Sequence, residues 1–473
     1  MLISHRVTID VVTLMRALNT APRLLALLLI MSFFSTPAVP ITDIQLVASA
    51  IPAAEEPLRV ILMIGDGMGY QHVELARLVE VGEHGSLMMQ DSDWNASMTT
   101  YAADAAVTDS AASGTAIATG NKTNRGYVGK NPSLVDLENI VEFAQSLNKS
   151  TGIVSTCRIV DATPASFMTH VDSRYDFNEI ARQIVDEANV SVLLGGGSDY
   201  FSGSQISTMV SNGYAVVYNR TSLADITSGK VFGLFASVHM DYEYDRHYAV
   251  QPSIAEMTNK SIELLSQDPD GFFLMIEGGK IDLAAHDEDK VRNALDTIAF
   301  DKAVGVALDY VNDHKNTILI VTADHETEGL VVVSHDLNSQ LPSALVSEEE
   351  KRALRTQRVN NITVDWTASY HTDWPVPVFG YGKAFENMSS DVLIDNTDVF
   401  RLMKDFYQGT PLNGTEYPHY IPTTPIVTTS EPGTTPTDTG TGPGIPVDSS
   451  LWLAMSLGGV ILIVVAIVLI KRR

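Results

Sequence analysis

The sequence predicts an α/β fold with a mainly parallel central sheet and helices on both faces, followed by a C-terminal transmembrane helix. Three observations lead there. Short, near-continuous apolar runs at 59–64, 152–156, 190–194, 272–276, 317–322 and 376–381 read as strands buried on both faces. Between them lie amphipathic stretches suited to helices, at 134–147, 179–187, 253–266, 289–312 and 347–358. A chain of 473 residues with 45% hydrophobic content can also bury a large core. The helix at 347–358 falls in a polar insertion, 335–366, that is expected to cap the sheet, and there is no internal repeat.

The two ends have a different composition from this folded body, which spans 58–408. Arg16 and Arg23 precede the apolar run 24–34 and then small residues, the layout of a secretory signal over 1–38. Cleavage after Ala38 has the better spacing, and the Ala48-Ser49-Ala50 pattern would move it to residue 50. Residues 422–450 are rich in Thr, Pro and Gly, have little to bury, and read as an extended stalk open to O-glycosylation. The uncharged segment 451–470 has the length of a membrane-spanning helix. The basic end 471–473 would stay cytoplasmic, so the sequence predicts that the folded body lies outside the cell surface, anchored through that helix. Sequons at Asn95, Asn121, Asn148, Asn189, Asn219, Asn259, Asn361, Asn387 and Asn413 all precede the span, which suits a glycosylated outside domain.

A formal charge of −26 argues against nucleic acid as a partner, because a polyanion needs a basic face. The single cysteine, Cys157, has no internal disulfide partner and lies in an apolar run, where a buried structural thiol is expected. His84, His239 and His335 lack the context of the candidate ligands described below and read as structural.

Candidate chemistry lies where an open α/β sheet puts it, beyond the carboxyl ends of strands. Val107-Thr108-Asp109-Ser110-Ala111-Ala112-Ser113-Gly114-Thr115-Ala116 reads as a buried small-residue helix with Ser110 at its N-terminus, among unpaired N–H groups that suit an oxyanion. Ile64-Gly65-Asp66-Gly67-Met68-Gly69 follows the first strand. An acid at its centre would repel pyrophosphate, and the glycines leave Asp66 open to a cation. After the 272–276 strand come Glu277, Asp282 and His286, the last two at i, i+4 on one helix face. Asp324 and His325 end the 317–322 strand, and can converge on one ion only if the backbone leaves strand geometry there. His371 precedes the 376–381 strand. Imidazole with carboxylate suits Zn²⁺, and oxygen-only sets suit Mg²⁺.

In order, these segments, together with Asp161-Ala162-Thr163-Pro164-Ala165, resemble the motif series of the alkaline phosphatases over about 58–408. The resemblance implies an alkaline-phosphatase-like sheet and a two-zinc, one-magnesium centre. By it, Asp282, His286 and His371 would hold the first zinc, and Asp66, Asp324 and His325 the second. Asp66 would bridge to a magnesium held by Thr163 and Glu277, with Asp161 beside it. Arg174 matches the family's phosphate-clamping arginine, oriented by Asp109, and Ser110 its nucleophile, which passes through a phosphoseryl intermediate. The implied substrates are small phosphate monoesters of broad range, and the implied assembly is a homodimer, although the sequence shows no interface. Asp161 occupies a position that is His in many relatives and Asp in others, and a carboxylate there implies Mg²⁺ at the third site; Leu283 offers neither ligand nor charge, which implies phosphate held mainly by Arg174 and the two zincs. A phosphodiesterase or sulfatase of the same superfamily would share the zinc ligands but usually lacks the combination of Ser110, Arg174, Thr163 and Glu277. An inactive cell-surface structural protein would have no reason to keep a complete ligand set.

Overall fold

The computed structural model describes residues 56–337 and 347–412. Its first half contains, in chain order, β1 (Arg59–Ile64), α1 (Tyr70–Val81), β2 (Trp94–Thr99), α2 (Ser110–Thr119), α3 (Ile140–Ser146), β3 (Ser150–Arg158), α4 (Ala162–Ser166), α5 (Phe177–Asp186), β4 (Val192–Gly196), α6 (Gly203–Ser211), β5 (Tyr214–Val217), α7 (Arg220–Ala224) and β6 (Lys230–Leu234). Then follow α8 (Ile254–Leu265), β7 (Phe272–Glu277), α9 (Lys280–His286), α10 (Lys290–Asp313), β8 (Thr317–Thr322), β9 (Glu326–Thr327), β10 (Leu330–Ser334), α11 (Glu348–Asn360), β11 (Thr363–Trp366), β12 (His371–Thr372), β13 (Val376–Tyr381), β14 (Val392–Asp395) and α12 (Asn396–Tyr407).

Ten of these strands form one sheet in the order β14-β2-β13-β8-β1-β7-β3-β4-β6-β5. Only β13 runs antiparallel to its neighbours, β2 and β8; the other pairings in this sheet are parallel. The expected mainly parallel sheet is therefore present. Its centre behaves as a sheet covered on both faces should, with every residue of β1, β7 and β8 buried. β2 alternates buried and half-buried residues instead, and its Trp-Asn-Ala-Ser-Met-Thr sequence is too mixed to stand out as an apolar run.

Elsewhere the helix boundaries shift for local reasons. The helix expected over 134–147 begins only at Ile140, because Leu134 sits at φ 61° and the Asn139 side chain accepts the N–H groups of Val141 and Glu142. Glu142 returns the bond to the Asn139 N–H at 2.9 Å, closing a capping box. In the polar insertion, α11 packs on α1 through the Arg355–Glu80 ion pair, and β11 pairs with β10.

The expectation of a membrane span is corrected. Among the described residues no helix is long and apolar enough to cross a membrane. The longest, α10, carries Arg292, Asp296, Asp301, Lys302 and Asp309 along its length, charges a bilayer interior would not accept. The predicted C-terminal transmembrane helix, and with it the membrane-anchored cell-surface location, thus has no support in the structure. The segments assigned to the signal, stalk, span and basic tail lie outside the described residues.

The start of α3 gives a test by sign. Asn139 is buried and caps the helix, so Asn139→Ala should destabilise the protein by about 1 kcal/mol. A helix running from 134 would make the same change neutral or stabilising. The midpoint of urea unfolding, at unchanged slope, distinguishes the two.

Candidate active site

Four adjacent strands, β8, β1, β7 and β3, end at one place, and the loops leaving them carry the predicted residues. Asp66 follows β1, Glu277 closes β7, Asp324 and His325 follow β8, and Thr163 lies on α4 just beyond β3. α9 starts three residues after Glu277 and brings Asp282 and His286 to the same edge. His371 arrives by a separate device: β12 pairs antiparallel with β9, setting His371 opposite Thr327. The backbone does leave β8 before Asp324, as convergence of Asp324 and His325 requires, and Glu326 shapes that departure by accepting the N–H groups of Gly329 and Leu330 and the Thr372 hydroxyl.

Two groups of donors result. His325 Nε2 is 3.5 Å from Asp66 Oδ1 and 3.3 Å from Asp324 Oδ2. His286 Nε2 is 3.2 Å from His371 Nε2 and 3.5 Å from Asp282 Oδ1, which is 3.7 Å from His371 Nε2. Donor atoms of Asp66, Asp324 and His325 all lie within 4.8 Å of one another, as do those of Asp282, His325 and His371. His325 therefore stands between the groups, its ring stacked 3.5 Å from that of His371.

The imidazoles are aimed by bonds on their other nitrogens. His371 Nδ1 donates to the Thr108 carbonyl at 3.0 Å, and His286 Nδ1 to Glu328 Oε1 at 3.0 Å, which turns both Nε2 atoms toward Asp282. Thr327 holds Asp282 from its hydroxyl at 2.6 Å and lies 3.2 Å from His325 Nδ1. Sequence reasoning missed Thr327 and Glu328 as positioning residues, although both stand in the acidic run after His325 that it singled out. It also missed Tyr370, whose ring stacks on that of His371 at 4.0 Å; its place next to His371 was the available signal.

Packing this many acids together is costly. Burial first, and then the charges of Asp324, Asp282 and Glu277, push Asp66 well above the ordinary carboxylate range. Burial raises Asp324 to about 7 and Glu277 to about 8, again against neighbouring acids. Desolvation drives His325 and His371 well below the usual histidine value, so both are neutral and able to ligate. Asp66 Oδ1 and Asp324 Oδ2 are buried with no hydrogen-bond partner among the described residues. Acceptors without donors, beside neutral imidazoles, are the surroundings a divalent cation fits.

Ser110 opens α2, and its Oγ is 3.3 Å from His325 Nε2. Asp109 caps the same helix, Oδ1 accepting the Ala112 N–H at 3.0 Å, while its Oδ2 takes Arg174 Nη1 at 3.2 Å and the Gly126 N–H at 3.0 Å. One carboxylate thus fixes both the helix start and the guanidinium. Asp161 is turned elsewhere: Oδ1 receives Arg158 Nη2 at 3.1 Å, and Oδ2 lies 3.6 Å from His239 Nδ1. His239, set aside in the sequence as structural, therefore has an acidic neighbour after all. Cys157 is buried, as expected.

Comparisons with known proteins agree with this geometry. The alkaline phosphatase family profile matches residues 58–354. Alkaline phosphatase 4 of Bacillus subtilis is 30% identical over 73% of this chain and 88% of its own length. The crystal structure of a cold-active alkaline phosphatase from Shewanella sp. superposes with a TM-score of 0.66 at 28% identity, covering 74% of this chain and all of that one. A histidine-to-aspartate mutant of the Antarctic bacterium TAB5 alkaline phosphatase, solved with Mg bound, superposes at 0.63 with 27% identity over 75% of this chain and 98% of that one. With the sheet and the clustered carboxylates and imidazoles, these matches show that the chain belongs to the alkaline phosphatase family of phosphoric monoester hydrolases.

Proposed function

We propose that this phosphatase cleaves phosphate monoesters of broad range through a phosphoseryl intermediate on Ser110, at a centre of two zinc ions and one magnesium ion. The observation that carries the reading is the convergence of the Ser110 hydroxyl, the Asp109-held Arg174 guanidinium and the two donor groups at one sheet edge. Asp282, His286 and His371 would hold one zinc, Asp66, Asp324 and His325 the other, and Asp66, Thr163 and Glu277 the magnesium, with Asp161 as the nearby carboxylate. Magnesium in the TAB5 mutant supports that ion for a third site with a carboxylate at hand. Bound there, the cations would act as Lewis acids, favouring the alkoxide of Ser110 and neutralising charge on the phosphoryl and leaving oxygens.

The chain's own groups then have defined tasks. Arg174, held in place by Asp109, offers its fork to two phosphoryl oxygens, and the N-terminus of α2 adds a favourable field for the same group. Ser110 gives its hydroxyl proton to solvent as Oγ attacks phosphorus, the bond to the leaving oxygen breaks, and the alcohol departs with a proton taken from solvent. Water then attacks the phosphoseryl group, breaking the bond to Oγ and releasing inorganic phosphate while Ser110 regains its proton. Glu277, bonded to the Ser155 hydroxyl, would be held in place to bind the magnesium.

Ser110→Ala should lower phosphomonoesterase kcat/KM by about a thousandfold or more without loss of fold, since the nucleophile is removed. Arg174→Ala should cost about a hundredfold and weaken inhibition by inorganic phosphate. Full activity of either variant would refute its assigned role. Assays with a diester and a sulfate ester should give far lower rates than the monoester. Chelation should abolish activity, and added Zn²⁺ with Mg²⁺ should restore it. Gly67 adopts φ +70°, and a Cβ there would lie 2.6 Å from Thr327 Oγ1 and 2.8 Å from Asp282 Oδ1. Gly67→Ala should therefore reduce zinc retention during dialysis as well as rate, whereas a purely local turn defect would leave metal content unchanged.

A further inference from the structure

Cys157 and His239 take no part in the reaction described above, yet they meet Asp161 in one cluster. Cys157 comes from the end of β3, Asp161 from the turn before α4, and His239 from the loop after β6. One donor atom from each, a thiol sulfur, a carboxylate oxygen and an imidazole nitrogen, lies within 4.8 Å of the other two. The loop carrying His239 is fixed: Met240 N–H donates to the Thr156 carbonyl at 3.0 Å, and Gly197 N–H to the Ala236 carbonyl at 3.0 Å. Cys157 is held through its own N–H, which donates to Ser155 Oγ at 2.8 Å. A Cβ at Gly279 would lie 2.6 Å from Cys157 Sγ, so only glycine leaves space for the sulfur there.

We propose that Cys157, Asp161 and His239 form a separate binding site for a thiophilic divalent cation of the zinc class, beside the third metal site. Thiolate, imidazole and carboxylate are the donor set that zinc takes from proteins, whereas magnesium disfavours sulfur. Cys157 is buried, but the Asp161 and His239 side chains keep 15% and 14% of their exposure, which leaves one side for entry and for a water as fourth ligand. The neighbouring cation Arg158 does not block the site. Its Nη2 pairs with Asp161 Oδ1 at 3.1 Å, and its guanidinium is held by Tyr200 Oη at 2.7 Å and by the Phe177 ring at 4.4 Å, while Oδ2 lies 3.6 Å from His239 Nδ1. On binding, the sulfur–hydrogen bond of Cys157 is replaced by a sulfur–metal bond and one proton passes to solvent.

Cys157 is the sole cysteine of the chain, which makes the site directly readable. The metal-stripped full chain, reloaded with Co²⁺, should develop a near-ultraviolet thiolate-to-cobalt charge-transfer band that can have no other origin. Reloaded with Zn²⁺, it should bind one equivalent more than Cys157→Ser, and His239→Gln should weaken that equivalent by about tenfold or more. Ser110→Ala should keep the band, so loss of phosphatase activity and loss of this site are separate outcomes. Absence of the band from the unmodified protein overturns the proposal without recourse to any variant. An unchanged zinc count in Cys157→Ser overturns it equally.

Discussion

Four carboxylates, Asp66, Glu277, Asp282 and Asp324, are buried at a single sheet edge, and the surrounding structure answers to their charge. Removing one carboxylate from water is costly, and setting four together multiplies the cost through mutual repulsion. Hydrogen bonds from Thr327, Ser155 and the Gly67 N–H relieve part of it. The remainder, visible in the raised values of Asp66, Glu277 and Asp324, is what bound dications would compensate. A fold with this concentration of acid would gain stability from any dications bound among these carboxylates.

The sheet makes that concentration possible. In a parallel sheet, neighbouring strands end on the same side, so four consecutive strands in the order β8-β1-β7-β3 deliver four loops to one crevice although they are remote in sequence. The strands themselves are buried, apolar and paired with their neighbours, which holds the acids in register against their repulsion. His371 reaches the same crevice on the segment entering β13, because an antiparallel strand starts beside the carboxyl end of β8, and the two-residue pairing of β12 with β9 then fixes its position.

Around the donors lies a layer of residues that set direction rather than bind. Thr108, through its carbonyl, and Glu328 fix the His371 and His286 rings, and Asp109 joins the start of α2 to Arg174. Each constraint removes rotamer freedom before substrate arrives, so less ordering remains to be done in the reaction itself. Asp161, shared between Arg158 and His239, extends this layer toward Cys157.

By itself, the sequence determined the central strands, the parallel sheet and the order of the site motifs. Those features follow from local patterns: all-apolar runs such as 272–276, and Asp, His and Gly clustered where the runs end. It did not determine the start of α3, where the Asn139 cap prevails over helical periodicity in 134–139. Strand β2 was likewise hidden, since its burial alternates and depends on β13 and β14 as partners. His239 carries no local sign of function, and only the packing of the loop after β6 against β3 and β4 brings it to Asp161 and Cys157. Neither did the chain order reveal that His325 stands between the two donor groups. Distances between residues hundreds of positions apart are set by strand order and loop closure, which no local pattern encodes, and that is why tertiary structure alone decided them.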